Sequence, residues 1–129
     1  MRIRIDDSSE RAVFQQIMDK VKRDIALGRL EKGKKLPTVR QLAEQLELAP
    51  NTTAKAFRQL EQERIIVTKG RLGAFVANLQ SRLRMSTRKK MIRERLERIA
   101  VDAYHLGIDR GALVKWLREE VKRLNFPKK

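Results

Sequence analysis

The stretch that decides the fold opens with Lys34-Lys35-Leu36-Pro37-Thr38-Val39-Arg40-Gln41-Leu42-Ala43. It continues through Leu48-Ala49-Pro50-Asn51-Thr52-Thr53-Ala54-Lys55-Ala56-Phe57-Arg58-Gln59-Leu60-Glu61 and closes with Ile65-Ile66-Val67-Thr68-Lys69-Gly70-Arg71-Leu72-Gly73-Ala74-Phe75-Val76. Thr38 with Gln41 three residues on has the spacing of a capping box, so a helix starts there, with Leu42 and Leu46 as its apolar face. Pro50 suits the first turn of a second helix, where its missing N–H costs nothing. In that helix Thr53, Ala56, Phe57 and Leu60 fall on one side, while Asn51, Lys55, Arg58 and Gln62 fall on the other. Ile65–Thr68 and Ala74–Ala77 are β-prone runs around a five-residue tip with two glycines. A lone hairpin is marginal in water, so this one must pack on the helices as a wing.

Outward from this stretch, Val13, Ile17, Val21 and Ile25 recur every four residues with Phe14 alongside, predicting an earlier helix. Ser8 or Ser9 is its expected cap, Gly28 its end, and Gly33 marks the loop that follows. Residues 2–5 alternate Arg and Ile, a short strand signal. Beyond Ser81 the pattern changes. Ile92, Leu96, Ile99, Ala103 and Leu106 form a heptad-like stripe. His105-Leu106-Gly107-Ile108-Asp109 reads as helix end, glycine C-cap, apolar lock and new N-cap. A last helix carries Leu113, Trp116, Leu117, Val121 and Leu124. The expected class is mostly α with a small β-hairpin: a winged helix-turn-helix over 1–79 and a helical hairpin over 80–129. That hairpin has more apolar stripe than it can bury alone, which predicts a homodimer with Ile92, Leu96, Ile99, Ala103, Leu113, Trp116 and Leu117 at the interface.

Among the 129 residues, Lys and Arg number 31 against 16 Asp and Glu, a net charge of +15. Such an excess favours a polyanionic partner. Residues 1–79 carry +6 and residues 80–129 carry +9, so the charge is not confined to the winged helix. The stretch Arg82–Arg98 holds eight basic residues against Glu94 and Glu97. With no cysteine, disulfides, thiolate catalysis and Cys-based zinc sites are excluded. No apolar run reaches the roughly 20 residues that span a bilayer, and the N-terminus has no signal-peptide core, so a cytoplasmic protein is expected.

Catalysis needs convergent nucleophiles, bases or ligands. The single histidine, His105, stands beside a helix-ending glycine with no thiol or second imidazole to partner it. Gly70-Arg71-Leu72-Gly73 lies between strands and lacks the ending of a phosphate-binding loop. No enzyme activity, cofactor or metal is expected. DNA is better served. Lys35, Thr38, Arg40, Asn51, Thr52 and Thr53 lie in or near first helical turns, where phosphates bind. Lys55 and Arg58 are long donors suited to base edges in the major groove. Lys69, Gly70 and Arg71 form a basic wing tip.

These motifs resemble a known family. Leu36-Pro37-Thr38-Val39-Arg40-Gln41-Leu42-Ala43 is similar to the Leu-Pro-Ser-x-Arg-x-Leu-Ala signature of GntR-type transcription regulators. Pro50-Asn51-Thr52-Thr53-x-Lys55-Ala56-Phe57-x-x-Leu60-Glu61 resembles the Pro-Asn-Thr-Val-x-Lys-Ala-Tyr-x-x-Leu-Glu pattern of the short YtrA-like branch. Ile3-x-Ile5-Asp6, Phe14-x-Gln16-Ile17 and Gly73-x-Phe75-Val76 also match, and residues 80–129 resemble that branch's two-helix dimerisation tail. The resemblance implies a dimeric bacterial or archaeal repressor, often governing transporter operons; two-fold symmetry predicts a palindromic DNA operator, and a pocket between the tail helices has room for a small-molecule effector. Three positions depart from the pattern: Ala49 replaces a capping Ser or Asn, Arg64 replaces a helix-ending glycine, and Gly70-Arg71 inverts an Arg-Gly order. A non-specific architectural or nucleic-acid-coating protein is the alternative, encouraged by Arg82–Arg98. A winged-helix protein adaptor fits the charge poorly.

Overall fold

A computed structural model describes residues 3–77 and 83–126, and the chain divides into two units, residues 1–79 and 80–129. In the first unit three helices, α1 (Val13–Ala26), α2 (Val39–Leu46) and α3 (Pro50–Gln62), precede an antiparallel hairpin of β1 (Ile66–Thr68) and β2 (Ala74–Val76). The register Ile66–Val76, Val67–Phe75, Thr68–Ala74 puts Ile66 and Val76 side by side on the inner face. A single 3-10 turn, Gly70–Leu72, makes the tip. The core gathers Ile17 and Val21 from α1, Leu42 from α2, Ala56, Phe57 and Leu60 from α3, and Ile66 and Val76 from the hairpin. α3 packs against both other helices and β1, so it is the element on which the unit is built.

The ends of these helices follow from local chemistry. Thr38 Oγ1 accepts from Gln41 N–H at 3.0 Å while Gln41 Oε1 accepts from Thr38 N–H at 2.9 Å, so the capping box forms. α3 starts from Ala49 with no side-chain cap, as its sequence requires. α1 departs from expectation. Its N-cap is Ala12, whose N–H donates to Gln15 Oε1 at 3.1 Å. Ser8 and Ser9 instead hold the preceding turn: Ser8 N–H and Oγ–H donate to Asp6 Oδ1, and Ser9 Oγ accepts from Arg11 N–H. The Ser8 hydroxyl and then its N–H hold the Asp6 carboxyl below its ordinary pKa. No strand forms at residues 3–5, because none of the described residues pairs with them. Ile3 and Ile5 pack on the core, and Arg2 lies outside the described residues.

Residues 33–36 do what residues 3–5 do not. Leu36 N–H donates to Ala74 O and Val76 N–H to Lys34 O, both at 2.8 Å, so this segment lines the free edge of β2. Three helices in the first unit end in the same pattern, with a left-handed residue after the last turn. That residue is Gly28 after α1, Glu47 (φ 56°) after α2 and Arg64 (φ 61°) after α3. At Arg64 the motif is complete: Ile65 N–H reaches back to Leu60 O at 2.9 Å.

The second unit is α4 (Met85–His105) and α5 (Arg110–Arg123). Gly107, at φ 72°, turns the chain, Ile108 N–H donates to Ala103 O at 2.9 Å, and Asp109 Oδ1 caps α5 through Ala112 N–H. This is the helix end, glycine turn and new cap that the sequence at 105–109 predicts. Among the described residues of this unit only Ala103 is buried, by its own hairpin. Leu113 is half-buried; Ile92, Leu96, Ile99, Trp116 and Leu117 are 41–54% exposed.

Candidate nucleic-acid interface

α3 carries the centre of the site. Thr53, Ala56, Phe57 and Leu60 anchor it in the core, which turns Asn51, Lys55, Arg58 and Gln62 outward as an exposed face. Its place in the first turns predicts Thr53 as a DNA contact. The structure corrects this: Thr53 is fully buried, one of the core anchors, and its Oγ1 has no hydrogen-bond partner among the described residues. Thr52 remains half-buried in the first turn of α3, its N–H donating to Ala49 O at 3.2 Å.

The carboxylates of this helix are disposed of in a way that leaves its outer face cationic. Glu61 accepts from Thr68 N–H of the wing at 3.1 Å, and Glu63 pairs with Lys22 of α1. None of Lys35, Arg40, Arg58 or Arg71 makes an ion pair or hydrogen bond with a side chain of the described residues. Arg40 and Thr38 stand exposed at the start of α2. At that position the aligned peptide dipoles add to the attraction of a phosphate.

The wing stands next to α3. A groove between them is lined by Thr38, Val39, Arg58, Glu61, Thr68 and Gly73, among others. Gly70 adopts φ 54° and Gly73 φ 101°, a backbone state that L side chains rarely adopt. A Cβ on Gly73 would also come within 3.2 Å of Lys35 Cε, so Lys35 lies across the base of the tip. With Gly70 making the turn, the inverted Gly70-Arg71 pair keeps Arg71 exposed on it.

Two contacts were not foreseen. Lys55 Nζ sits 4.1 Å from the centroid of the Phe14 ring on α1, and Lys69 Nζ sits 5.0 Å from that of Phe75 on β2. Both are cation–π distances. The Lys69–Phe75 pair was open to a reading of hairpin register. Lys55 and Phe14 are distant in sequence, and no local pattern connects them. The edge segment 33–36 was missed because Gly33, Lys34 and Lys35 lack strand propensity; pairing with β2 overrides it.

Residues 14–76 match the gntR family of bacterial regulatory proteins. The chain is 32% identical over 117 residues to the HTH-type transcriptional repressor YtrA of Bacillus subtilis, spanning 91% of this chain and 90% of that one. Among solved structures it is similar to a transcriptional antiterminator from Listeria monocytogenes, with a TM-score of 0.85 at 25% identity over 100% of this chain and 97% of that one. It is also similar to YtrA from Sulfolobus acidocaldarius, a GntR-family transcription factor, with a TM-score of 0.65 at 31% identity over 77% and 97% of the two chains. With the family match spanning residues 14–76 and a relative 32% identical along nearly the whole of both chains, the chain belongs to the GntR family of transcription regulators, close to its YtrA-type members.

Proposed function

We propose that the protein is a cytoplasmic, homodimeric repressor that lays α3 in the major groove of a palindromic operator. The observation that carries this is the outer face of α3: Asn51, Lys55, Arg58 and Gln62 exposed together, with Glu61 and Glu63 drawn off to other partners. Phosphate contacts from Thr38, Arg40 and Thr52 would fix the register, and Lys55 and Arg58 would read bases. Lys69, Gly70 and Arg71 would meet the flanking backbone or minor groove. The stripe Ile92, Leu96, Ile99 with Trp116 and Leu117 supports dimerisation, since so much exposed apolar surface on one small hairpin calls for a second copy. Two-fold symmetry then sets half-site centres about 10 bp apart, or a multiple of that. A small-molecule effector bound between the tail helices is compatible with this arrangement, and the reading assigns the protein no catalytic role.

Binding to the protein's own promoter region in the presence of excess random duplex tests the proposal. Specific regulators gain on the order of 10³ or more over non-specific sites. Loss of all binding to the random competitor would favour the second reading, a non-specific coating protein, for which the charge of residues 80–129 is the supporting observation.

A further inference from the structure

α4 begins with an arrangement of charge that its own fold does not account for. Between Arg84 and Arg98 the helix carries seven basic residues and two acidic ones, Glu94 and Glu97. All are exposed. Glu94 and Glu97 stand at helical i,i+4 spacing from Lys90 and Arg93, yet no ion pair forms on this helix among the described residues. The first turn has no acidic residue, and the Arg84 cap position makes no side-chain hydrogen bond. Arg84 therefore stands at the positive end of the peptide dipole, and Arg88, Lys89 and Lys90 crowd the turn after it, an accumulation of like charge that a bound anion would relieve. Lys89, Lys90 and Arg93 share one shallow concavity on α4 with Glu94, Glu97 and Leu96. The heptad stripe begins only at Ile92, so most of these cations precede the apolar seam.

We propose that the N-terminal half of α4 is a second DNA-binding surface, one that grips the phosphate backbone outside the half-sites without reading sequence. This rests on the operator-binding function proposed above. Charge complementarity selects the partner, a polyanion with closely spaced phosphates rather than a single small anion, because the basic side chains extend over more than three helical turns. The chain connection raises its effective concentration. Leu83 follows the last described residue of the wing segment, Ala77, by six positions, so a duplex held by the wing is presented to a tethered cationic helix.

The test uses the full-length chain carrying Arg88→Gln, Lys89→Gln and Lys90→Gln together, with a matched control of Lys115→Gln, Arg118→Gln and Lys122→Gln on α5. Affinity for an operator duplex is measured across a salt series, with long flanks and with flanks trimmed to the half-sites. Each backbone contact contributes about 0.9 to the slope of log affinity against log salt. The α4 variant is expected to lose roughly 2 from that slope on the long duplex per protomer, keep its ranking of operator variants, and become indifferent to trimming. The α5 control should behave like the wild type. An unchanged slope in the α4 variant, or an equal loss in the control, overturns the proposal and leaves operator binding intact. A wild-type chain that prefers no duplex overturns operator binding itself and this surface with it.

Discussion

Thr53 carries a hydroxyl into a fully buried position, where it has no partner among the described residues. An unsatisfied buried polar atom costs about 1–3 kcal/mol, and valine has the same shape without the hydroxyl. Thr53→Val is therefore expected to raise stability by about 1 kcal/mol, read as a higher urea midpoint with unchanged slope. Arg64 is a second such residue. Its left-handed backbone costs an L side chain about 1–2 kcal/mol, partly offset because glycine is looser in the unfolded chain. Arg64→Gly should raise the melting temperature by a few degrees, whereas Gly73→Ala should lower it. The strain at Arg64 was legible through the family resemblance, because arginine stands where that pattern has a helix-ending glycine. That Thr53 belongs to the core was legible from spacing, but its place near a helix start also drew it into the site, and only burial separates the two. DNA contacts belong to this scale as well. Arg40→Ala should weaken binding to all operator variants alike, while Arg58→Ala should change the preference among them in a competition assay. Uniform weakening by both would leave phosphate anchoring and remove base readout.

At the level of elements, the helices were written plainly: period, capping pair and proline placement each act within a few residues. The Thr38–Gln41 box is an example, and Thr38→Ala should cost about 1 kcal/mol by leaving the first N–H groups of α2 unpaired. Strands were less legible. Residues 3–5 alternate well and form none, and residues 33–36 alternate poorly and line β2. Strand pairing depends on what lies alongside, which no window of sequence contains. The join between α3 and the wing is likewise non-local. Glu61 holds Thr68 N–H, so Glu61→Ala should loosen β1 relative to α3, measured as faster amide exchange at Thr68 and Val67 with little change at Leu42.

For the whole molecule the decisive quantity is the apolar surface of the second unit. Two helices that bury Ala103 and leave Leu96 and Trp116 about half exposed hold too little core to stand alone. The full-length protein should sediment as a dimer at micromolar concentration, and Leu96→Glu with Leu117→Glu should shift it to monomer. A dimer that survives both charges would place the interface elsewhere. The sequence displayed the stripe, but the identity of the surface that covers it is a property of an assembly, not of a chain.

The two lysines over phenylalanine rings have a consequence for observation. An aromatic ring shields protons held above its face, so the ε-methylene protons of Lys55 over Phe14 and of Lys69 over Phe75 should resonate upfield of the protein's other lysines. A duplex that draws either ammonium away would release that shift. Each ring thereby acts as a built-in reporter, one for α3 and one for the wing, and titration with DNA can tell which of the two engages first.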